Sequence, residues 1–350
     1  MSANVSTAIN NTQLTNCFAK QFKGARRIGY TFAYCLIFVV SVVGNIFLGV
    51  VVYKTKTMRK PINLLIVNMA MFDLLYPLLL FSWVITQMQT NSWLISGSFG
   101  EVLCKLVIFL PEVSNAVSIQ SLVLIAVDRF GAVVFPLRSP VISSRRCPFF
   151  ILATWIFAVA IQSPFSIAPG LVQLPSASLM CLYRWEKEFG DASFLIYYGL
   201  SNIVILYYVP MVLIIVLYTI IVLKLKTQIV PGCATSVNAE QQRLKRERNV
   251  LKMAIAIVSM FVVCFLPLTI HHFLVLFSAD VVMLHSCRYA QFVRFSYFLA
   301  RSNCAINPCI CFTFSGNYRQ GLKNILSCFS CGTRADQDEQ PADVELRPVV

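Results

Sequence analysis

Seven mainly apolar stretches, separated by short polar segments, set the pattern of the chain: about 28–53, 62–88, 101–133, 146–168, 193–224, 246–277 and 289–313. Each is long enough for a helix to cross a bilayer core, which takes roughly 20 residues. The pattern predicts an all-α membrane protein, a seven-transmembrane-helix bundle. No soluble domain fits between the spans, and no repeat of fixed period is visible. Past the seventh span, Tyr318, Leu322, Ile325 and Leu326 mix with Arg319 and Lys323 in a pattern that suits a short amphipathic helix on the inner membrane surface. The expected organisation is a tail (1–27), a bundle (28–313), an amphipathic helix (314–331) and a polar, acidic end (332–350) without fixed structure.

Composition agrees. The chain is 57% hydrophobic and 13% charged, against roughly 45–50% and about 25% in soluble domains. A net charge of +14 would suit nucleic acid, but the basic residues cluster beside the apolar runs. One cluster is Lys54, Lys56, Arg59 and Lys60; the next is Arg138, Arg145 and Arg146; the third is Lys224, Lys226, Arg243, Lys245, Arg246 and Arg248. All three fall on one side of the bundle, which the positive-inside rule makes cytoplasmic, so the N-terminus is expected outside and no nucleic acid is expected as a partner. Lys20, Lys23, Arg26 and Arg27 weaken that contrast. Sequons at Asn4 and Asn10 suit an outer tail and mark candidate glycosylation sites. Residues 1–27 hold nothing like a cleaved signal peptide, so the first span is expected to direct the chain to the plasma membrane. Of thirteen cysteines, Cys35, Cys264, Cys304, Cys309 and Cys311 lie within apolar runs, where cysteine acts as a small hydrophobe. Cys328 and Cys331 follow the amphipathic helix, where palmitoylation and two unmodified thiols are equally open readings.

Polar residues inside lipid-spanning helices are costly, and here they recur helix by helix. Span one holds Gly44-Asn45, span two Asn68 and Asp73, span three Asp128-Arg129-Phe130, and span four Trp155. Span five holds Pro210 and Tyr218, span six Cys264-Phe265-Leu266-Pro267, and span seven Asn303 and Asn307-Pro308. In this order the set resembles the rhodopsin-like G-protein-coupled receptors over residues 28–328, with peptide-receptor-like features in the Asn63-to-Asp73 stretch and around Phe99-Gly100 and Cys104.

The resemblance implies roles for individual residues. Cys104, 25 residues before Arg129, corresponds to the cysteine capping helix three and is expected to pair with Cys181. Cys17 and Cys287 are candidates for a second outer disulfide. Asp73, Ser118, Asn303 and Asn307 correspond to a sodium site, an allosteric ion being the one cofactor in question. The bland alternative is a protonated or water-linked aspartate that locks helix packing. Asp128, Arg129 and Glu247 correspond to a switch between helices three and six, although Glu247 within the basic run 245–248 also reads as a solvated charge. Ile119, Pro210 and Phe261 correspond to the packed trio that links pocket to helix six, and Arg129 and Leu137 to contacts with a heterotrimeric G protein. The remaining switch positions are Tyr218, Phe265, Pro267, Asn307, Pro308 and Cys311. Three of the switch residues depart from the pattern: Phe130 and Phe265 replace tyrosine and tryptophan, and Cys311 replaces the tyrosine of NPxxY. Cysteine donates no comparable hydrogen bond, so a weakly stabilised active state is expected.

The outer pocket narrows the ligand. In the resemblance, the position of the amine-binding aspartate is Pro111, which disfavours a biogenic amine, and that of the retinal lysine is Arg301, which excludes a retinal Schiff base. Glu112 and Arg301 are expected either to pair with each other, the reading favoured, or to leave Arg301 for an acidic group of the ligand. Trp83, Gln87, Asn115, His272 and Arg294, with His271, are further pocket candidates. A long loop over 166–192 suits a hairpin above the pocket, and a neuropeptide is the expected ligand. A decoy or atypical receptor with little G-protein signalling, or a receptor for a small acidic molecule, remain the alternatives. A transporter or an enzyme is disfavoured, because neither an inverted repeat nor a nucleophile or metal cluster is evident. Arrestin, with few tail Ser/Thr sites to bind (Ser327, Ser330, Thr333), and the lipid bilayer complete the expected partners.

Overall fold

The computed structural model describes residues 24–90, 92–135, 141–174, 178–190, 192–227, 237–277 and 286–335. Helix α1 is Ala25–Lys54, α2 is Pro61–Thr90, α3 is Gly97–Val134 and α4 is Cys147–Gln162. A hairpin of β1, Pro169–Gln173, and β2, Leu179–Tyr183, follows α4. Helix α5 comprises Ala192–Ile203, a π-helical turn at Val204–Tyr208, and Val209–Thr227. Helix α6 is Val237–Phe277. The seventh span is two helices, α7 (Cys287–Arg301) and α8 (Asn303–Phe314), and α9 is Gly316–Ala335.

Lipid and protein faces separate along each helix. On α1 the exposed Ile28, Phe32, Leu36, Val39, Val43 and Ile46 recur at three- and four-residue spacing, one stripe of a helix that hydrocarbon can cover. Its opposite face buries Tyr34, Ser41, Asn45, Leu48 and Val52. Helices α2 and α3 are central: 56% of the apolar stretch is buried in each, against 28% for α1 and 17% for α5, which therefore lie at the rim. One apolar cluster fills the inner half, around Leu48, Leu65, Ile119, Ile214, Phe261 and Cys311. A second fills the outer half, around Tyr34, Phe81, Trp93, Cys104 and Cys181.

Prolines set the irregularities. A π-helical turn, Pro77–Phe81, opens at Pro77 in α2, and the π-helical turn of α5 ends just before Pro210. Proline lacks the N–H that an α-helical ladder needs, and a wider turn absorbs the mismatch. In the seventh span Pro308 packs so close to α1 that a Cβ on Gly44 would lie 2.8 Å from its ring. Glycine at 44 is thus required by close approach, not by backbone angle.

Two boundaries differ from the sequence expectation. Residues 237–245, expected in the third inner loop, are the first turns of α6, which at 41 residues is about 60 Å long and exceeds a ~30 Å hydrocarbon core. Helix α9 runs through Ala335, past the expected end at 331. It is held by Tyr318, buried to 1% exposure, whose hydroxyl donates to Asn63 Oδ1 at 3.2 Å, and by Gly321 against Val51.

Gly44→Val is expected to destabilise the bundle by about 1–3 kcal/mol through overpacking against Pro308. A lower thermal midpoint of the detergent-solubilised protein, with Gly49→Val unchanged as a control in open space, is the measurement.

Candidate functional site

Halfway through the bundle, buried polar groups hydrogen-bond across five helices. Ser41 Oγ donates to the Asp73 carbonyl at 2.8 Å and also lies 3.2 Å from the Cys304 carbonyl. Asn45 Nδ2 donates to the carbonyls of Ser41 and Cys304 at 2.9 and 3.0 Å. Asn68 Nδ2 donates to Ser121 Oγ at 3.1 Å, while Trp155 Nε1 donates to Asn68 Oδ1 at 3.0 Å. Asn307 Nδ2 donates to Asp73 Oδ2 at 2.9 Å. Ser118 and Asn303 are buried as well, and their oxygens are uncommitted among the described residues.

The inner end of α3 carries the second group. Arg129 and Asp128 form an ion pair at 2.7 Å, with Asp128 the more buried of the two. Tyr218 of α5 lies within electrostatic reach of Arg129. Cys311 is sealed in the inner core at 0% exposure. Ile119 and Phe261 are buried in that same core and Pro210 is half-buried; Phe265 stacks on Phe261 with centroids 4.4 Å apart and also meets Tyr207. Pro267 lies inside α6. Glu247 is on α6, but its side chain, like all of Leu137, lies outside the described residues.

The outer end is roofed by the hairpin. Cys181 in β2 is bonded to Cys104 of α3, with Cα atoms 5.7 Å apart. Glu101, one turn before Cys104, accepts from the Leu171 backbone N–H at 3.0 Å and pairs with Arg184 at 2.7 Å. Gly170 leaves room for that guanidinium, since a Cβ there would collide with it. Trp93 N–H donates to the Leu179 carbonyl, which ties the turn before α3 to β2. Cys287 is disulfide-bonded, whereas Cys17 lies outside the described residues. Asn4 and Asn10 also lie outside them, as do the side chains of Cys328 and Cys331.

Beneath the hairpin, the expected ion pair between Glu112 and Arg301 does not form. Arg301 instead turns towards α1, donating to the Tyr34 hydroxyl at 3.3 Å, and lies over the ring of Tyr297, one turn earlier on α7, at 5.3 Å. Glu112 stays on α3, where its backbone carbonyl accepts from Gln162 at 3.3 Å. Each feels the other's charge from beyond ion-pair range. Tyr183, Tyr207 and Tyr297 lie within electrostatic reach of Glu112, and Asn115 sits at the Tyr207 phenol. Burial, with Glu112 and Tyr297 nearby, pushes the Tyr183 phenol well above its ordinary value, so it stays a neutral hydrogen-bond donor. Trp83 packs in the outer cluster near Trp93; His272 is half-buried beside His271, which meets Tyr289 at 2.8 Å; Arg294 lies within reach of Tyr30; and Gln87 is half-buried on α2. The structure therefore joins Glu112, Asn115 and Arg301 through four phenols that sequence reasoning missed, Tyr34, Tyr183, Tyr207 and Tyr297. The i, i+4 spacing of Tyr297 and Arg301 was the one available signal.

A disulfide-tied hairpin at the outer end, a buried polar lattice at mid-bundle and an Asp-Arg pair at the inner end of α3 together describe a seven-helix membrane receptor. Residues 44–310 match the family model described as "7 transmembrane receptor (rhodopsin family)", and the chain belongs to that family. It is 32% identical over 320 residues to neuropeptide Y receptor type 2 of Homo sapiens, covering 90% of this chain and 80% of the relative. The same receptor of Mus musculus is 32% identical over 309 residues, covering 87% and 77%. A QRFP-like peptide receptor of Branchiostoma floridae is 27% identical over 311 residues, covering 87% and 79%.

Cys311→Tyr is expected to raise ligand-independent signalling several-fold. The sealed inner core has no room for a phenol, and outside it the hydroxyl gains a partner near Tyr218 worth about 1 kcal/mol. A cell assay of basal G-protein activation at matched surface expression reads this, and unchanged basal output would sink the idea.

Proposed function

We propose that this receptor lies in the plasma membrane with its N-terminus outside, binds an extracellular neuropeptide and activates a heterotrimeric G protein. The observation that carries the reading is the hairpin tied to α3 by the Cys104–Cys181 bond, at the end of the bundle where Tyr183 comes within reach of Glu112 and Arg301. The names of the relatives, receptors for neuropeptide Y and for QRFP-like peptides, support the same ligand class. Ligand and G protein would both favour a conformation with α6 displaced, so each raises the other's affinity. An Arg129–Glu247 contact between α3 and α6 is the element this displacement would break, leaving Arg129 to its neighbour Asp128 or to a new partner. Leu137 and Arg129 would meet the G protein, arrestin would compete for the same inner face, and no covalent chemistry is involved. Glycans at Asn4 and Asn10 and palmitate at Cys328 and Cys331 fit the same orientation, with α9 against the inner leaflet.

Asp73, Ser118, Asn303 and Asn307 fit a sodium ion, because a buried carboxylate with hydroxyl and amide oxygens is a hard-oxygen donor set. A bound ion there would add to the hydrogen bonds joining α2 to α8 and favour the conformation described here. A receptor with little G-protein signalling is the competing reading, and Cys311 is the observation that favours it.

Surface-expressed receptor challenged with a neuropeptide panel is expected to recruit G protein. A peptide that binds without recruitment would establish the competing reading, and activation by small acids alone would overturn the peptide ligand. Replacing sodium by N-methylglucamine is expected to raise agonist affinity several-fold in the wild type and to leave Asp73→Asn unchanged, as read by radioligand competition.

A further inference from the structure

Glu112 on α3 and Arg301 on α7 are each half-buried, so part of each side chain borders open space, the cavity of this proposal. Among the described residues nothing hydrogen-bonds or ion-pairs with the Glu112 carboxylate. Arg301 commits a single N–H, to Tyr34, while the ring of Tyr297 fixes the plane of its guanidinium. Most of its five donors are left for a planar acceptor. Tyr183 and Tyr297 are 46% and 36% exposed, and both lie within electrostatic reach of Glu112 and Arg301. Opposite charges held apart in a cavity shielded from water are costly, and collapse into an ion pair is prevented because Arg301 is anchored towards α1.

We propose that the cavity takes a peptide segment carrying charges of both signs, its basic group at Glu112 and its acidic group at Arg301. The proposal rests on the peptide-receptor reading above and specifies its ligand. Three partners then converge: a carboxylate accepts the fork of Arg301, a guanidinium or ammonium donates to Glu112, and the Tyr183 and Tyr297 phenols line the space between. The acidic group is either a free C-terminus or an Asp/Glu side chain, since Arg301 recognises a carboxylate from either source. A ligand with one charge leaves the other receptor charge desolvated and unmatched, so selectivity for dipolar peptides is built in.

The test uses the full-length receptor in cells with a G-protein recruitment readout. Synthetic octapeptide pools are made with both charges, with either one, or with neither, each as C-terminal acid and amide. The strongest single peptide is then compared with its arginine-to-citrulline and carboxyl-to-carboxamide analogues on wild type, Glu112→Gln and Arg301→Met. The proposal expects each neutralisation to weaken potency at least about tenfold on wild type. The citrulline penalty should vanish on Glu112→Gln and the carboxamide penalty on Arg301→Met, and amidation alone tells a C-terminal from a side-chain carboxylate. Should either variant fail to reach the surface, Glu112→Asp and Arg301→Lys replace it, and the matched penalty must then shrink. Active peptides indifferent to either charge, or penalties that persist in the matched variant, overturn the dipolar pocket while leaving a peptide receptor. Inactivity of every pool on surface-expressed wild type overturns the peptide reading and the pocket with it.

Discussion

Hydrocarbon offers no hydrogen bonds, and every polar side chain within the spans must answer to that constraint. The answers here are of two kinds. Ser41, Asn45, Asn68, Asp73, Trp155 and Asn307 find partners in the protein, and their bonds cross-link α1, α2, α3, α4 and α8 near mid-membrane. Glu112 and Arg301 do not find each other, and each stays only half-buried. The first group makes the bundle one body; the second leaves a demand that an incoming molecule can meet.

Between these levels lie the residues that the proposed switch would use. Asp128 and Arg129 are neighbours on one helix, so their pair costs no interhelical contact to keep and is cheap to trade for another partner. Phe261 and Phe265 stack along α6 directly above this region, and α6 continues well past the membrane thickness on the inner side. A small rotation near the stacked rings therefore becomes a large displacement at the inner end. On the proposed reading, Cys311 in place of a phenol would leave the displaced state without one polar bridge.

The seven spans were legible because apolar length is a strong signal, and the polar lattice because a lone Asn or Asp in such a run stands out. The expectation failed where neighbours decide. Glu112 and Arg301 read as a pair from charge and depth alone, yet the Tyr34 hydroxyl and the Tyr297 ring capture the guanidinium, and no spacing in sequence relates Tyr34 to Arg301. Residues 237–245 are mostly polar, so hydropathy sees a loop where the residues are in fact helical. Arg184 was likewise invisible as the partner of Glu101, because that contact depends on the hairpin register and on the absence of a side chain at Gly170.

Tyr183 stands two residues after Cys181 on the same strand, and side chains two apart point to one face. The crosslink that ties Cys181 to α3 thus also aims Tyr183 at the cavity. On the proposed pocket, part of ligand recognition would thus be set in place when the secretory pathway oxidises the pair. A molecule without that bond would keep its apolar spans but lose the covalent constraint that holds β2, and Tyr183 with it, against α3.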